Sequence, residues 1–202
     1  RNNLNTSGMT GDFVMGAAVS NVATLFTGGS GADTFNGGTA DDVFNAGAGN
    51  NTLDGGTGDD TYNIADGGTD TILQNASDST AYSAETITEA AVAVGETLTF
   101  GNGIDVINGF TAGASGDIIN GANAGAPTTL VGSNQTANTS ATTYFASGAF
   151  VLSTGVFTIA ADGSGADTLI IDGGANANMN DSADGIVLVG VNSSDIVAAN
   201  VI

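Results

Sequence analysis

Four nine-residue units follow one another without a break from Gly28 to Asn63: GGSGADTFN, GGTADDVFN, AGAGNNTLD and GGTGDDTYN. Their common form is G-G-x-G-x-D-x-U-x, with U a large apolar residue. Each unit has a glycine-rich half that closes on Asp33, Asp42, Asn51 or Asp60. A short half follows, carrying one apolar side chain: Phe35, Phe44, Leu53 or Tyr62. Glycine admits positive φ, so the first half can bend sharply and aim its carbonyl oxygens inward. The second half is long enough for a short strand with one side chain turned to a core. A flexible glycine-rich linker has no reason to place an Asp or Asn at one phase four times, each with an apolar residue two positions on.

Two units complete one turn of a flattened solenoid, so like positions recur every 18 residues. This stacks Asp33 beside Asn51 on one edge and Asp42 beside Asp60 on the other, with coils about 4.8 Å apart. Loop carbonyls and carboxylates from successive coils then form an all-oxygen cage. Hard ligands in a flexible number suit Ca²⁺ and not zinc. The candidate ligands are Gly28, Ser30, Gly31 and Asp33 in the first loop, and Gly37, Thr39 and Asp42 in the second. Gly49 and Asn51 follow in the third, Gly55, Thr57 and Asp60 in the fourth, then Asp66 and Asp70. Ala40 replaces an inner glycine, and Ala46 with Asn51 weakens the third loop, so the Asp42/Asp60 edge is the stronger site.

These units resemble RTX repeats, found in secreted bacterial toxins, proteases, lipases and surface-layer proteins. The resemblance spans residues 28 to 72, where Asp60–Ile64 and Asp66–Ile72 are similar to the close of such blocks. It implies an all-β chain: a calcium-binding parallel β-roll over 28–72, then a strand-rich C-terminal domain. Residues 1–27 read as an irregular cap or the end of a preceding domain, with Phe26 in phase with Phe35. Residues 73–141 read as a β-rich continuation with a polar surface loop that holds the sole proline, Pro127. Within it Thr86-x-x-Glu89 fits a helix capping box, yet Thr and Val content favours strand. Asp105-Val106-Ile107 and Asp117-Ile118-Ile119 are similar to the segment after the roll in secreted RTX proteases, so Asp105 and Asp117 are further ligands or solvated turn residues. Residues 142–202 read as strands; Asp162 and Asp167 sit in a second acidic glycine loop, a calcium loop or a plain hairpin turn. Gly185–Ile196 resembles the uncleaved C-terminal signal of type I secretion.

Composition narrows the function. The 202 residues contain no His, Cys or Trp, one Lys or Arg (Arg1) and 21 Asp and Glu, for a formal charge of −20. That excludes an ordinary zinc site, a Ser-His-Asp triad and a thiol nucleophile. It excludes a P-loop, which needs Lys, and nucleic-acid binding, which needs cations. Adjacent pairs such as Asp41/Asp42 face opposite ways on extended chain and cannot flank one glycosidic bond. No apolar run reaches the roughly 18 residues of a membrane span. Hydrophobic residues at 41% suffice for a core. The chain begins at Arg1 and reads as the C-terminal part of a longer protein.

The expectation is a non-enzymatic, extracellular structural module of a bacterial surface-layer or matrix protein. It would fold on calcium, assemble with copies of itself, engage type I secretion machinery and make calcium-bridged contact with cell-surface glycan. The alternative is the secretion and folding tail of an exported hydrolase.

Overall fold

The computed structural model describes residues 1–16, 21–75, 78, 93–100, 104–121, 128–129, 143–172 and 185–202. Residues 79–92, with the Thr86–Glu89 capping box, lie outside them, as does Pro127. Among the described residues the chain is strands and turns, with two 3-10 turns at Ser193–Asp195 and Ala198–Asn200 and no α-helix.

The repeat builds two parallel walls. In the first, β1 (Asn2–Asn5), β2 (Thr24–Thr27), β4 (Val43–Asn45), β6 (Thr61–Asn63) and β9 (Asp105–Asn108) lie side by side in that order. In the second, β3 (Thr34–Gly38), β5 (Thr52–Gly56), β7 (Thr71–Gln74) and β10 (Ile118–Gly121) do the same. Register follows the repeat: Phe26 pairs Phe44 and Phe44 pairs Tyr62, while Phe35 pairs Leu53 and Leu53 pairs Ile72. The apolar position of every coil therefore stacks on the one before. Phe26, Phe44 and Tyr62 form a column of nearly parallel rings, with centroids 4.7 and 5.1 Å apart. Phe35 reaches across from the opposite wall to Phe26 at 5.5 Å. Each of these side chains is fully or almost fully buried, a contribution of roughly 1.5–3 kcal/mol apiece.

The stacking runs past residue 72. Ile107 on β9 pairs Tyr62, and Ile119 on β10 pairs Ile72, so residues 104–121 lay a further coil on the roll. Both are buried in the same core. The first wall then turns antiparallel. It continues through β15 (Gly185–Val189), parallel to β9, and then β14 (Asp167–Asp172), β12 (Thr143–Val151), β13 (Val156–Ile159) and β8 (Thr97–Thr99). The two-residue β11 (Thr128–Thr129) pairs β12. A second core, around Leu98, Val106, Phe157, Leu169 and Val187, forms against this extension. The chain end closes the second wall: Val201 bridges Ile119, and Ile202 N–H donates to the Ile119 carbonyl at 3.0 Å. The roll and the C-terminal strands thus share one sheet.

Coil spacing leaves no room at the corners. A Cβ on Gly56, which has φ +80, would fall 2.2 Å from the Gly38 carbonyl oxygen of the preceding coil. Gly67, with φ +96, faces open space. Gly67→Ala is expected to cost only the backbone term, about 1–2 kcal/mol, whereas Gly56→Ala adds overpacking of about 1–3 kcal/mol. Thermal unfolding in saturating calcium measures both; equal losses would contradict this packing.

Candidate metal-binding ladders

The acid that closes each loop lies where the chain enters a strand, so strand register stacks the acids as it stacks the core. On the first edge the Asp33 N–H donates to Asn51 Oδ1 at 2.9 Å, Asn51 N–H to Asp70 Oδ1 at 2.9 Å, and Asp70 N–H to Asp117 Oδ1 at 2.8 Å. On the second edge the Thr24 N–H donates to Asp42 Oδ1 at 2.6 Å, Asp42 N–H to Asp60 Oδ1 at 2.7 Å, and Asp60 N–H to Asp105 Oδ1 at 2.8 Å. Each edge is one continuous ladder in which every acid reaches back to the backbone of the coil before it. Asp33, Asp42, Asn51, Asp60, Asp70, Asp105 and Asp117 are all buried, none more than 1% exposed.

One oxygen of each carboxylate is used in this way, and the other divides the acids. Asp33 Oδ2 accepts the Gly29 N–H at 2.8 Å, and Asp117 Oδ2 accepts the Thr111 N–H at 2.7 Å. Asp60, Asp70 and Asp105 each keep a buried Oδ2 with no hydrogen-bond partner. A buried carboxylate oxygen without a donor is costly, and its natural complement is a cation. Among the described residues no three acidic, His or Cys side chains converge on one point. An ion here would rest on loop carbonyls and one or two carboxylates. That all-oxygen donor set suits calcium. The residues present fit the group.

The electrostatics agree. Burial, with the Asp105 charge second, pushes Asp60 up to about 9. Burial likewise lifts Asp105 to about 8, with the Asp78 and Asp59 charges adding. It lifts Asp42 and Asp70 to about 6. Tyr62, whose Oη accepts the Gly55 N–H at 3.1 Å, is held well above its ordinary range by burial and then by the Asp105 and Asp60 charges. The only Lys or Arg in the sequence is Arg1.

The structure sorts the sequence candidates. Gly28, Gly31, Gly37 and Gly55 are buried at the loop corners, Gly49 is partly buried, and Ser30, Thr39 and Thr57 crown the loops exposed to solvent. Asp66 is exposed on the turn before Asp70 and joins neither ladder. Asp105 and Asp117 are rungs, not solvated turn residues. Asp162 and Asp167 are not rungs. Asp162 accepts from Ser193 Oγ at 3.0 Å; Asp167 spends both oxygens on the N–H groups of Phe150 and Gly190, at 2.8 and 2.9 Å. They pin turns of the antiparallel extension.

Sequence reasoning passed over an outer row, in which Asp41 and Asn50 stand one residue before the inner ladder and Asp12 continues the row before the first repeat. Asp41 accepts the Asp59 N–H at 3.1 Å, Asn50 the Thr69 N–H at 2.9 Å, and Asp12 the Ala32 N–H at 2.8 Å. The doubled Asp41-Asp42 and Asp59-Asp60 were its signal. It also passed over Gln74 and Asp78, both buried beside the Asp60–Asp105 rung, which lie outside the repeat.

Residues 27–62 match the family of RTX calcium-binding nonapeptide repeats, in four copies. The fold and ladders define this part of the chain as an RTX-type β-roll, and calcium is its cofactor. Among solved structures, the chain is similar to the solution structure of the AlgE6R3 subunit from the Azotobacter vinelandii mannuronan C5-epimerase. That likeness has 20% identity and a TM-score of 0.37, and covers 98% of this chain and 82% of that one. No curated protein matches the chain.

Raised carboxyl values mean that the folded, metal-free roll binds more protons than the unfolded chain. Its stability is fully present below the ordinary carboxyl pKa of about 3.9. It is lost as pH rises through about 6 for Asp42 and Asp70, then about 8 and 9 for Asp105 and Asp60. Circular dichroism of metal-free protein should show β structure gained on acidification, a dependence that calcium flattens. Metal-free stability rising with pH would contradict the assignment.

Proposed function

We propose that this chain is a calcium-dependent structural module of a secreted bacterial surface-layer or matrix protein, folding and self-associating when it meets calcium. The observation that carries the reading is the pair of buried carboxylate ladders with unpartnered oxygens in a chain that has one basic side chain. Without cations the ladders disfavour the fold; with them the roll closes. A ligand that binds only the folded state at a hundredfold excess over its Kd stabilises by about 2.7 kcal/mol per site. Several such sites exceed the margin by which a small domain is stable. Sites with Kd on the order of 10⁻⁴–10⁻³ M, usual for extracellular modules, stay empty in a cytosol and fill outside.

Location follows the same logic. RTX repeats are typical of secreted bacterial proteins, and no helix among the described residues is long and apolar enough to cross a membrane. An unfolded chain leaves by type I secretion, with the C-terminal strands as signal, and calcium outside folds it. Self-association draws on the acidic outer row, where Asp41 and Asp59 stand on one edge. Calcium between two such rows, or between a row and an acidic surface glycan, neutralises both. The sequence carries no His, Cys or Lys, which favours a non-catalytic module. The tail of an exported hydrolase is the second reading, supported by Asp105 and Asp117, which lie in the segment similar to secreted proteases.

Circular dichroism with chelator, then with added calcium, should show β structure appearing as calcium rises. Electron microscopy should show arrays or filaments that dissolve on chelation. Asp60→Asn separates the two states of the ladder. It removes a buried charge and is expected to stabilise the metal-free chain, while weakening calcium affinity by about tenfold, the equivalent of about 1.4 kcal/mol. A β spectrum indifferent to calcium would overturn the folding switch, and monodisperse particles with bound calcium would overturn assembly.

A further inference from the structure

One rung of the first ladder is built differently from the rest. At Gly28, Gly37 and Gly55, the first position of three loops, an added Cβ would fall 2.8, 2.4 and 2.1 Å from Oδ2 of the loop's own acid, Asp33, Asp42 or Asp60. In those loops a bare first position leaves room for the second carboxylate oxygen and, at Gly28 and Gly37, for a carbonyl oxygen of the next coil that lies nearer still, Ala46 O at 1.9 Å and Gly55 O at 2.3 Å. The third loop has Ala46 at that position and Asn51 where the acid stands, so the two departures from the repeat occur together.

Asn51 is 1% exposed, and its side chain is occupied at both ends. Oδ1 keeps the ladder bond from the Asp33 N–H at 2.9 Å. Nδ2 donates to Asp70 Oδ1 at 2.9 Å and lies 3.4 Å from the carbonyl oxygens of Gly47 and Gly49. Two loop carbonyls and the next coil's carboxylate thus converge on one NH₂ group. That oxygen set is of the kind a hard cation takes. An amide nitrogen supplies two hydrogen-bond donors and no acceptor, so it can answer those oxygens without an ion. The amide answers Oδ1 of Asp70 alone: Oδ2 of Asp70, like Oδ2 of Asp60 and Asp105 on the opposite edge, is left unpartnered.

We propose that the Asn51 amide takes the place of a calcium ion between loop 46–51 and Asp70, giving the roll one cation-free rung. This rests on calcium filling the other rungs. Ala46 departs from the repeat in the same loop, so the double variant restores both positions together. The rung holds loop 46–51 to the coil that carries Asp70 at calcium levels that leave the rest of the ladder open.

The test compares wild type with Asn51→Asp and with the double variant Ala46→Gly/Asn51→Asp, using calcium alone as the probe. Equilibrium dialysis at saturation should show one more bound calcium per chain in the double variant than in wild type. The dependence of Tm on the logarithm of calcium concentration should steepen to match. Asn51→Asp, nearly isosteric, should need a higher calcium concentration than wild type to reach half-folding. Equal stoichiometry and equal half-folding concentrations across the three proteins would overturn the proposal. Wild type that binds no calcium would instead refute the reading of the other rungs, an outcome told apart because it concerns wild type alone.

Discussion

Like charges stacked at the spacing of a β-sheet dominate this molecule. Strand register places one carboxylate above another on both edges of the roll, buried and bonded to the backbone of the coil before. The geometry is set by the backbone, which cannot relax without giving up the sheet. Repulsion and desolvation must therefore be answered by protons, by metal, or by a donor built into the chain. The first answers the raised values of Asp60 and Asp105, the second their unpartnered Oδ2 atoms, and Asn51 is an instance of the third.

The core answers to the same register. A column that runs Phe26, Phe44, Tyr62 and Ile107 continues to Leu188, which pairs Ile107 across the β9–β15 junction. The C-terminal strands thereby extend the roll's own sheet. The rungs at Asp105 and Asp117 join residues 45 and 47 positions apart in the chain. Neutralising them closes the segment between and ties the antiparallel extension to the repeat. Folding of the two parts is on this account coupled through the ladder as well as through shared apolar surface.

The repeat was legible because its information is local: a nine-residue phase fixes loop, acid and apolar position together. Asp33, Asp42, Asn51 and Asp60 stand on the edges that spacing alone assigns them. Asp105 and Asp117 were legible only as further ligands or solvated turn residues, since a long insertion breaks the phase and only strand pairing assigns their rungs. Asp162 and Asp167 show the converse. A lone acidic glycine loop reads in sequence as a calcium loop or a plain hairpin turn, and without a stacked neighbour its carboxylates serve a nearby hydroxyl and nearby N–H groups. Asn51 read as a weakened site because sequence shows the lost charge and not where the amide nitrogen points. The joining of the C-terminal strands to the roll depends on parallel pairing between β9 and β15, which no turn signal announces.

The most direct measurement is anomalous diffraction from crystals grown in calcium. Anomalous peaks are expected between the Asp42 and Asp60 loops and beside the free oxygens of Asp60 and Asp105. Density that shows water alone at those positions, or carboxylates swung out to solvent, would contradict the claim that metal neutralises the ladders.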